Sequence, residues 1–141
     1  ENIIPLVKEQ CRPFGDRLHY AGYTDIPQQY MAAADVFCMP SHREGFGSVI
    51  IEAAAVGIPA IASRIYGITD AVQDNITGLL HTARDVDELS RHMRRIVEEA
   101  GLREALASNA RKRAINDFAQ ETVTAASISF YRSILPGGMA N

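Results

Sequence analysis

Three short apolar runs constrain the fold of this chain more than any other feature: "DVFCMP" at 35–40, "PAIAS" at 59–63 and "GLLH" at 78–81. A strand covered on one face alternates apolar and polar residues. A strand covered on both reads as a continuous apolar run. Between the first two runs lies "SVIIEAAAV", followed by Gly57 and then Pro59, the punctuation of a helix C-terminus. Strand, helix and strand in this order predict an α/β fold, a parallel sheet with helices on both faces. Ligands of such sheets sit beyond the carboxyl ends of the strands. The glycine-containing loop "SHREGFG", 41–47, lies at one of those ends.

The remaining pattern fills in around this unit. Residues 1–12 read as a helix, with Ile3, Ile4, Val7 and Cys11 at helical spacing. "RLHYAG", 17–22, reads as a short strand ended by Gly22, and "DIPQQYMAAAD", 25–35, as a helix with Asp25 as its N-cap. Residues 64–78 read as a loop with one helical turn. Three helices follow: 86–99 with a stripe of Leu89, Met93, Ile96 and Val97; 102–117 with Leu102, Ala105, Leu106 and Ala110; and 120–134 with Val123, Phe130, Tyr131 and Ile134. Residues 1–134 are thus expected to form one domain and 135–141, "LPGGMAN", a flexible tail.

Bulk properties exclude several classes. The 141 residues, 47% apolar, suffice for a real core, and a net charge of −3 offers nucleic acid no electrostatic footing. No run approaches the roughly 18 apolar residues of a membrane span, and the start does not read as a signal peptide. Cys11 and Cys38 form no disulfide framework; Cys38, inside an apolar run, reads as a small core residue, which fits a reducing compartment. His19, His81 and His92 are scattered, so no metal site is indicated. The chain opens on Glu1 rather than methionine and is expected to be part of a longer protein.

The segment 44–59, "EGFGSVIIEAAAVGIP", carries the chemistry. Its helix is apolar on nearly every side and therefore expected to be buried. Glu52 is its one charge, and a buried carboxylate needs a cation, a water or a ligand. Upstream, Gly45 and Gly47 let backbone approach a ligand closely. The N–H groups of residues 47–50, without intrahelical partners, and the helix dipole form a cradle for an anion. Glu44 and Glu52 can each accept hydrogen bonds from hydroxyls. Acceptor, anion cradle, acceptor is the order in which a nucleotide sugar presents sugar, diphosphate and ribose.

"ADVFCMPSHREGFGSVIIEAAAVGIPAIAS" resembles the donor-site signature of retaining glycosyltransferases of the GT-B fold, chiefly glycosyltransferase family 4, whose motif is Glu, seven residues, Glu. "YGITDAVQDNITGLL" and "FAQETV" resemble the family's downstream loop and the start of its closing helix. The resemblance covers about residues 14–134. It implies a Rossmann-like sheet, the C-terminal, donor-binding half of a GT-B fold without its first strands, followed by C-terminal helices. It implies that Glu44 acts catalytically on the donor sugar, with the backbone of Gly45, Phe46 and Gly47 lining the sugar pocket. Ser48 and Val49 would hold the diphosphate through their N–H groups, and Glu52 the ribose. The whole protein would transfer a sugar, hexosyltransferase-fashion, from a nucleoside-diphosphate sugar to a hydroxyl acceptor with retention, in glycan or surface polysaccharide biosynthesis. No cofactor beyond the nucleotide sugar and no metal is expected. The partners implied are the nucleotide sugar and an N-terminal acceptor-binding domain of the same parent chain, without which this chain is expected to be inactive. The expected location is cytoplasmic, with the parent at the inner face of the membrane as a variant.

The sequence departs from the family at Tyr66, where a glycine is usual, and Asp70, where a glutamate is usual; both bear on substrate choice. The family's "G-R-x-x-x-x-K-G"-like stretch, whose Arg and Lys neutralise the diphosphate, is not in this sequence. Other readings stand beside these. Glu52 could pair structurally with Arg43 or Arg64. A glycosidase carboxylate pair is disfavoured, because a residue well inside a helix cannot easily flank a scissile bond. His42 reads as a solvated loop residue before a general base. Tyr20 and Tyr23 read as packing residues before base-stacking ones. The Arg-rich helices read as salt-bridged faces before a peripheral membrane contact. The rival functions are a non-catalytic nucleotide-binding module and a nucleotide-sugar epimerase of the same fold.

Overall fold

A computed structural model describes residues 3–135. The expected tail therefore lies, from residue 136 on, outside the described residues. The elements run α1 (Ile4–Cys11), a 3-10 segment (Arg12–Arg17), α2 (Pro27–Ala32), β1 (Phe37–Met39), α3 (Ser48–Ala55), β2 (Ala60–Ser63), α4 (Ile68–Ala71), β3 (Gly78–His81), α5 (Val86–Glu98), α6 (Ala100–Asp117) and α7 (Gln120–Ile134). The three strands form a parallel sheet in the order β1-β2-β3, with Phe37 opposite Ala60 and Ser63 opposite His81.

The continuous apolar runs are explained by cover on both faces. Ala60, Ala62 and Leu80 point to one side, where they pack with Ile50 of α3, Ile68 and Ala71 of α4, and Val72. Ile61 and Leu79 point to the other, against Ile96 of α5 and Leu106 of α6. Every residue of β2 and β3 is buried. α6 also crosses behind α3, where Ala54, Ala110 and Ala114 allow a close helix approach. In α5 and α6 the buried set is narrower than the expected stripe. Ile96, Leu106, Ala110 and Ala114 are buried, but Met93, Val97 and Ala105 are exposed. Leu89, His92 and Ile96 lie three and four residues apart on one face, and Met93 and Val97 sit one step further round.

Two expectations at the N-terminal side need correction. Residues 17–22 form no strand, and Leu18 and Tyr20 are exposed. A strand exists only as half of a ladder, and among the described residues 17–22 pairs with none, although β1 leaves one edge open. Asp25 does not cap α2. The N-cap is Ile26, whose N–H donates to Thr24 Oγ1 at 3.2 Å, and Pro27 fills the first helical turn, where no donor is required. α1 and α7 form as expected but bury none of their residues.

Asp74 locks the entry to β3. It pairs with Arg64 and accepts the Leu80 N–H at 2.9 Å. Burial pushes its carboxyl upward, but the hydrogen bond from Arg64, the Leu80 N–H, the Arg64 charge and the Asn75 N–H together hold it below the ordinary carboxylate value. A carboxyl depressed in the folded state stabilises above its unfolded pKa, about 4, and loses that contribution as pH falls through the folded value. Asp74→Asn is expected to lower the melting temperature at pH 7. The gap from wild type should close as pH drops below about 4. A gap of the same size at pH 7 and pH 3 would show that the carboxylate charge contributes nothing.

Candidate donor site

The strand ends open onto a cleft of about 740 Å³ lined by His42, Arg43, Glu44, Gly45, Ile65 and Tyr66. One wall is the loop after β1, the other the loop after β2. The walls touch through Gly67, whose φ is +85°; a Cβ there would lie 2.2 Å from the Gly45 carbonyl oxygen. Only glycine allows that approach. At Gly45, by contrast, a Cβ would meet nothing within 4 Å, so the space beside it is open to a ligand.

Glu44 is half-buried on the cleft wall, and its Oε1 accepts the Gly45 N–H at 3.0 Å, which orients the carboxylate. Phe46, 37% exposed, turns away from the cleft and sets its ring 5.6 Å from that of Phe118. Gly47 is buried, caps α3 and holds φ +75°, the left-handed region that favours glycine. Ser48 is exposed and Val49 half-buried. Their N–H groups meet no acceptor among the described residues, so the helix end is open to an anion. The cradle is narrower than expected, since the Ile50 N–H already donates to the Gly47 carbonyl at 2.9 Å.

Glu52 is not buried. The inner face of α3 is made by Ile50, Ala53 and Ala54, and Glu52 shares the exposed face with Ser48, one turn back. Long helical side chains lean toward the N-terminus, so Glu52 and the open N–H groups belong to one stripe. Its carboxylate has no ion pair or hydrogen bond among the described residues. Arg64 pairs with Asp74, and Arg43 has no partner among the described residues. Thus the structure assembles Glu44 and Gly45 in the cleft wall, and places Gly47, Ser48, Val49 and Glu52 along α3 outside its lining.

The sequence reading assigned no site role to two wall residues, Arg43 and Ile65, and marked Tyr66 only as a departure bearing on substrate choice. Arg43 brings a guanidinium without a partner among the described residues, Tyr66 an exposed ring and Ile65 an apolar edge. Gly67 was the available signal, because a glycine that must touch a motif backbone brings its neighbours with it. His42 is exposed and also lines a second cleft, with Pro40, His81, Arg84, Asp85, Val86 and Leu89. His81 is structural. Its Nδ1–H donates to the Thr82 carbonyl at 2.8 Å, which leaves Nε2 to accept from the buried Ser63 hydroxyl at 3.4 Å. Among the described residues no three His, Cys, Asp or Glu side chains cluster to hold a metal.

A parallel α/β sheet with a cleft beyond its strand ends and an open helix N-terminus beside it belongs to the class of α/β domains that bind ligands at that edge. Residues 10–113 match the family of glycosyl transferases group 1, and the chain belongs to that family. It is 38% identical over 100 residues to the D-inositol 3-phosphate glycosyltransferase of Salinispora arenicola, covering 71% of this chain and 22% of that protein. It is 32% identical over 109 residues to the capsular polysaccharide biosynthesis glycosyltransferase CapM of Staphylococcus aureus, covering 77% and 29%. The chain thus spans about a fifth to a third of the length of these relatives. The crystal structure of Anabaena HepE in complex with UDP superposes with a TM-score of 0.87 at 27% identity, over 93% of this chain and 37% of that one. The fold is the Rossmann-like half of a GT-B glycosyltransferase, and no helix among the described residues is long and apolar enough to cross a membrane.

Proposed function

We propose that the whole protein moves a sugar from a nucleoside-diphosphate sugar to a hydroxyl acceptor, with retention at the anomeric carbon, in glycan or surface polysaccharide assembly on the cytoplasmic side. The observation that carries this reading is the cleft itself. Glu44 and Gly45 form its wall, and the open Ser48 and Val49 N–H groups head the adjoining helix. In the proposal Glu44 meets the donor sugar, the backbone of Gly45 to Gly47 shapes its pocket, and Ser48 and Val49 donate to the diphosphate. Glu52 takes the ribose hydroxyls. Arg43, on the wall and without a partner among the described residues, adds a cation to the helix end as negative charge grows on the departing diphosphate. That stabilisation calls for no resident metal. The acceptor would be held by a part of the protein beyond these 141 residues, which alone would not transfer sugar, because reaction requires the two substrates held together.

The test is Glu52→Ala in the full-length protein, titrated with UDP, GDP and ADP by calorimetry. Losing a charged acceptor to a diol is expected to cost about 1.5–3 kcal/mol, roughly 10- to 150-fold in Kd, for the free diphosphate and the intact sugar donor alike. Stability should hold, since Glu52 is exposed and its carboxylate has no partner among the described residues. Unchanged nucleotide affinity would remove Glu52 from the site.

A further inference from the structure

α6 ends directly behind the donor cleft. Near that end Arg113, with its side chain 17% exposed, donates from Nη1 to the Ala71 carbonyl and from Nη2 to the Asp70 carbonyl, both at 2.6 Å. These carbonyls belong to α4, on the wall that carries Tyr66. The guanidinium carbon also lies 5.1 Å from the centre of the Phe118 ring, and that ring meets Phe46 at 5.6 Å and 52°. Phe46 belongs to the other wall, between Gly45 and Gly47. The C-terminal end of α6 with its cap residue Phe118 therefore braces both walls: the α4 wall through two hydrogen bonds, the Glu44 wall through a pair of rings. Neither Arg113 nor Phe118 lines the cleft.

We propose that Arg113 and Phe118 are positioning residues for the transfer reaction, fixing the spacing of the Glu44 wall against the Tyr66 wall. The proposal rests on the donor-site reading above. The bracing is specific to these groups. A guanidinium offers a planar fork that reaches two carbonyls and stacks flat on a ring at once, a combination that a point-charge ammonium does not reproduce. The Phe118–Phe46 pair depends on ring against ring. Wall spacing decides where Glu44 meets the sugar, whereas the diphosphate and ribose groups sit on α3. Loosening the brace should thus act on turnover and leave nucleotide binding alone.

The experiment uses the full-length protein with Arg113→Lys, Phe118→Leu and Phe118→Tyr. Each is measured for UDP, GDP and ADP affinity, melting temperature, and steady-state kinetics on whichever UDP-, GDP- or ADP-hexose the wild type turns over. Arg113→Lys and Phe118→Leu are expected to lower kcat by roughly 10- to 100-fold, the penalty of small misplacements at a reacting centre. Nucleotide Kd should stay within about threefold of wild type. Phe118→Tyr, which keeps the ring, should recover most of the loss. Turnover within twofold of wild type in both disruptive variants would overturn the proposal, as would equal losses in kcat and nucleotide affinity, the mark of a merely structural role. A Phe118→Tyr variant as poor as Phe118→Leu would overturn the ring contact. A wild type that neither binds these nucleotides nor releases them from their sugars would instead overturn the donor-site reading, and this proposal with it.

Discussion

Glu44→Gln is expected to lower kcat on the order of 100-fold while the affinity for free nucleoside diphosphate stays nearly intact. The substitution keeps the shape of the side chain and an oxygen able to accept the Gly45 N–H, now 3.0 Å from Oε1, so the wall should stay in place. What it removes is the negative charge. A sugar leaving a diphosphate becomes oxocarbenium-like, and a carboxylate beside it is worth most at that point. The loss therefore belongs in kcat and not only in KM. Glu44 lies on a loop and makes no other hydrogen bond or ion pair among the described residues, so stability should change by less than about 0.5 kcal/mol. Paired steady-state kinetics and nucleotide titration on the full-length protein check this. Equal losses in turnover and in diphosphate binding would place Glu44 at the nucleotide, and no loss in either would remove it from the site.

Gly67→Ala should be as damaging by a different route. The added Cβ would lie 2.2 Å from the Gly45 oxygen, 2.6 Å from its carbonyl carbon and 2.8 Å from the Glu44 oxygen, all backbone atoms that no rotamer change can move. The residue would also hold φ +85°, a strain of about 1–3 kcal/mol for a side chain other than hydrogen. The clash can be relieved only by parting the walls. A displacement of about 1 Å at Glu44 is enough to cost roughly 100-fold in turnover. The expected result is a melting temperature several degrees lower together with a large fall in kcat. Gly45→Ala is the matched control, because its Cβ meets nothing within 4 Å among the described residues. It should leave the melting temperature unchanged, so any loss of turnover there reports on the bound donor. A Gly67→Ala variant with wild-type stability and turnover would show that the walls do not need to touch.

The sequence alone determined the parallel sheet, because each strand is a short apolar run and the connection between the first two carries a helix. Those signals are local, and burial on both faces leaves few other ways to satisfy them. It also indicated where chemistry should be sought, since Glu44 and Gly47 fall in one loop leading into the helix that starts near Ser48, and the first N–H groups of a helix lack intrahelical partners; the left-handed backbone of Gly47 came from the structure. The tertiary structure decided the rest. Glu52 looked buried because its helix is so apolar, but the small side chains of Ala53 and Ala54 with Ile50 complete the inner face, leaving Glu52 outside. Residues 17–22 have the composition of a strand, yet a ladder needs a second strand that composition cannot supply. Arg43, Tyr66, Arg113 and Phe118 join the site or its support through contacts between distant parts of the chain. No periodicity or cap marks such residues, because what places them is the packing of α6 and the loop after β2 against the loop of Glu44.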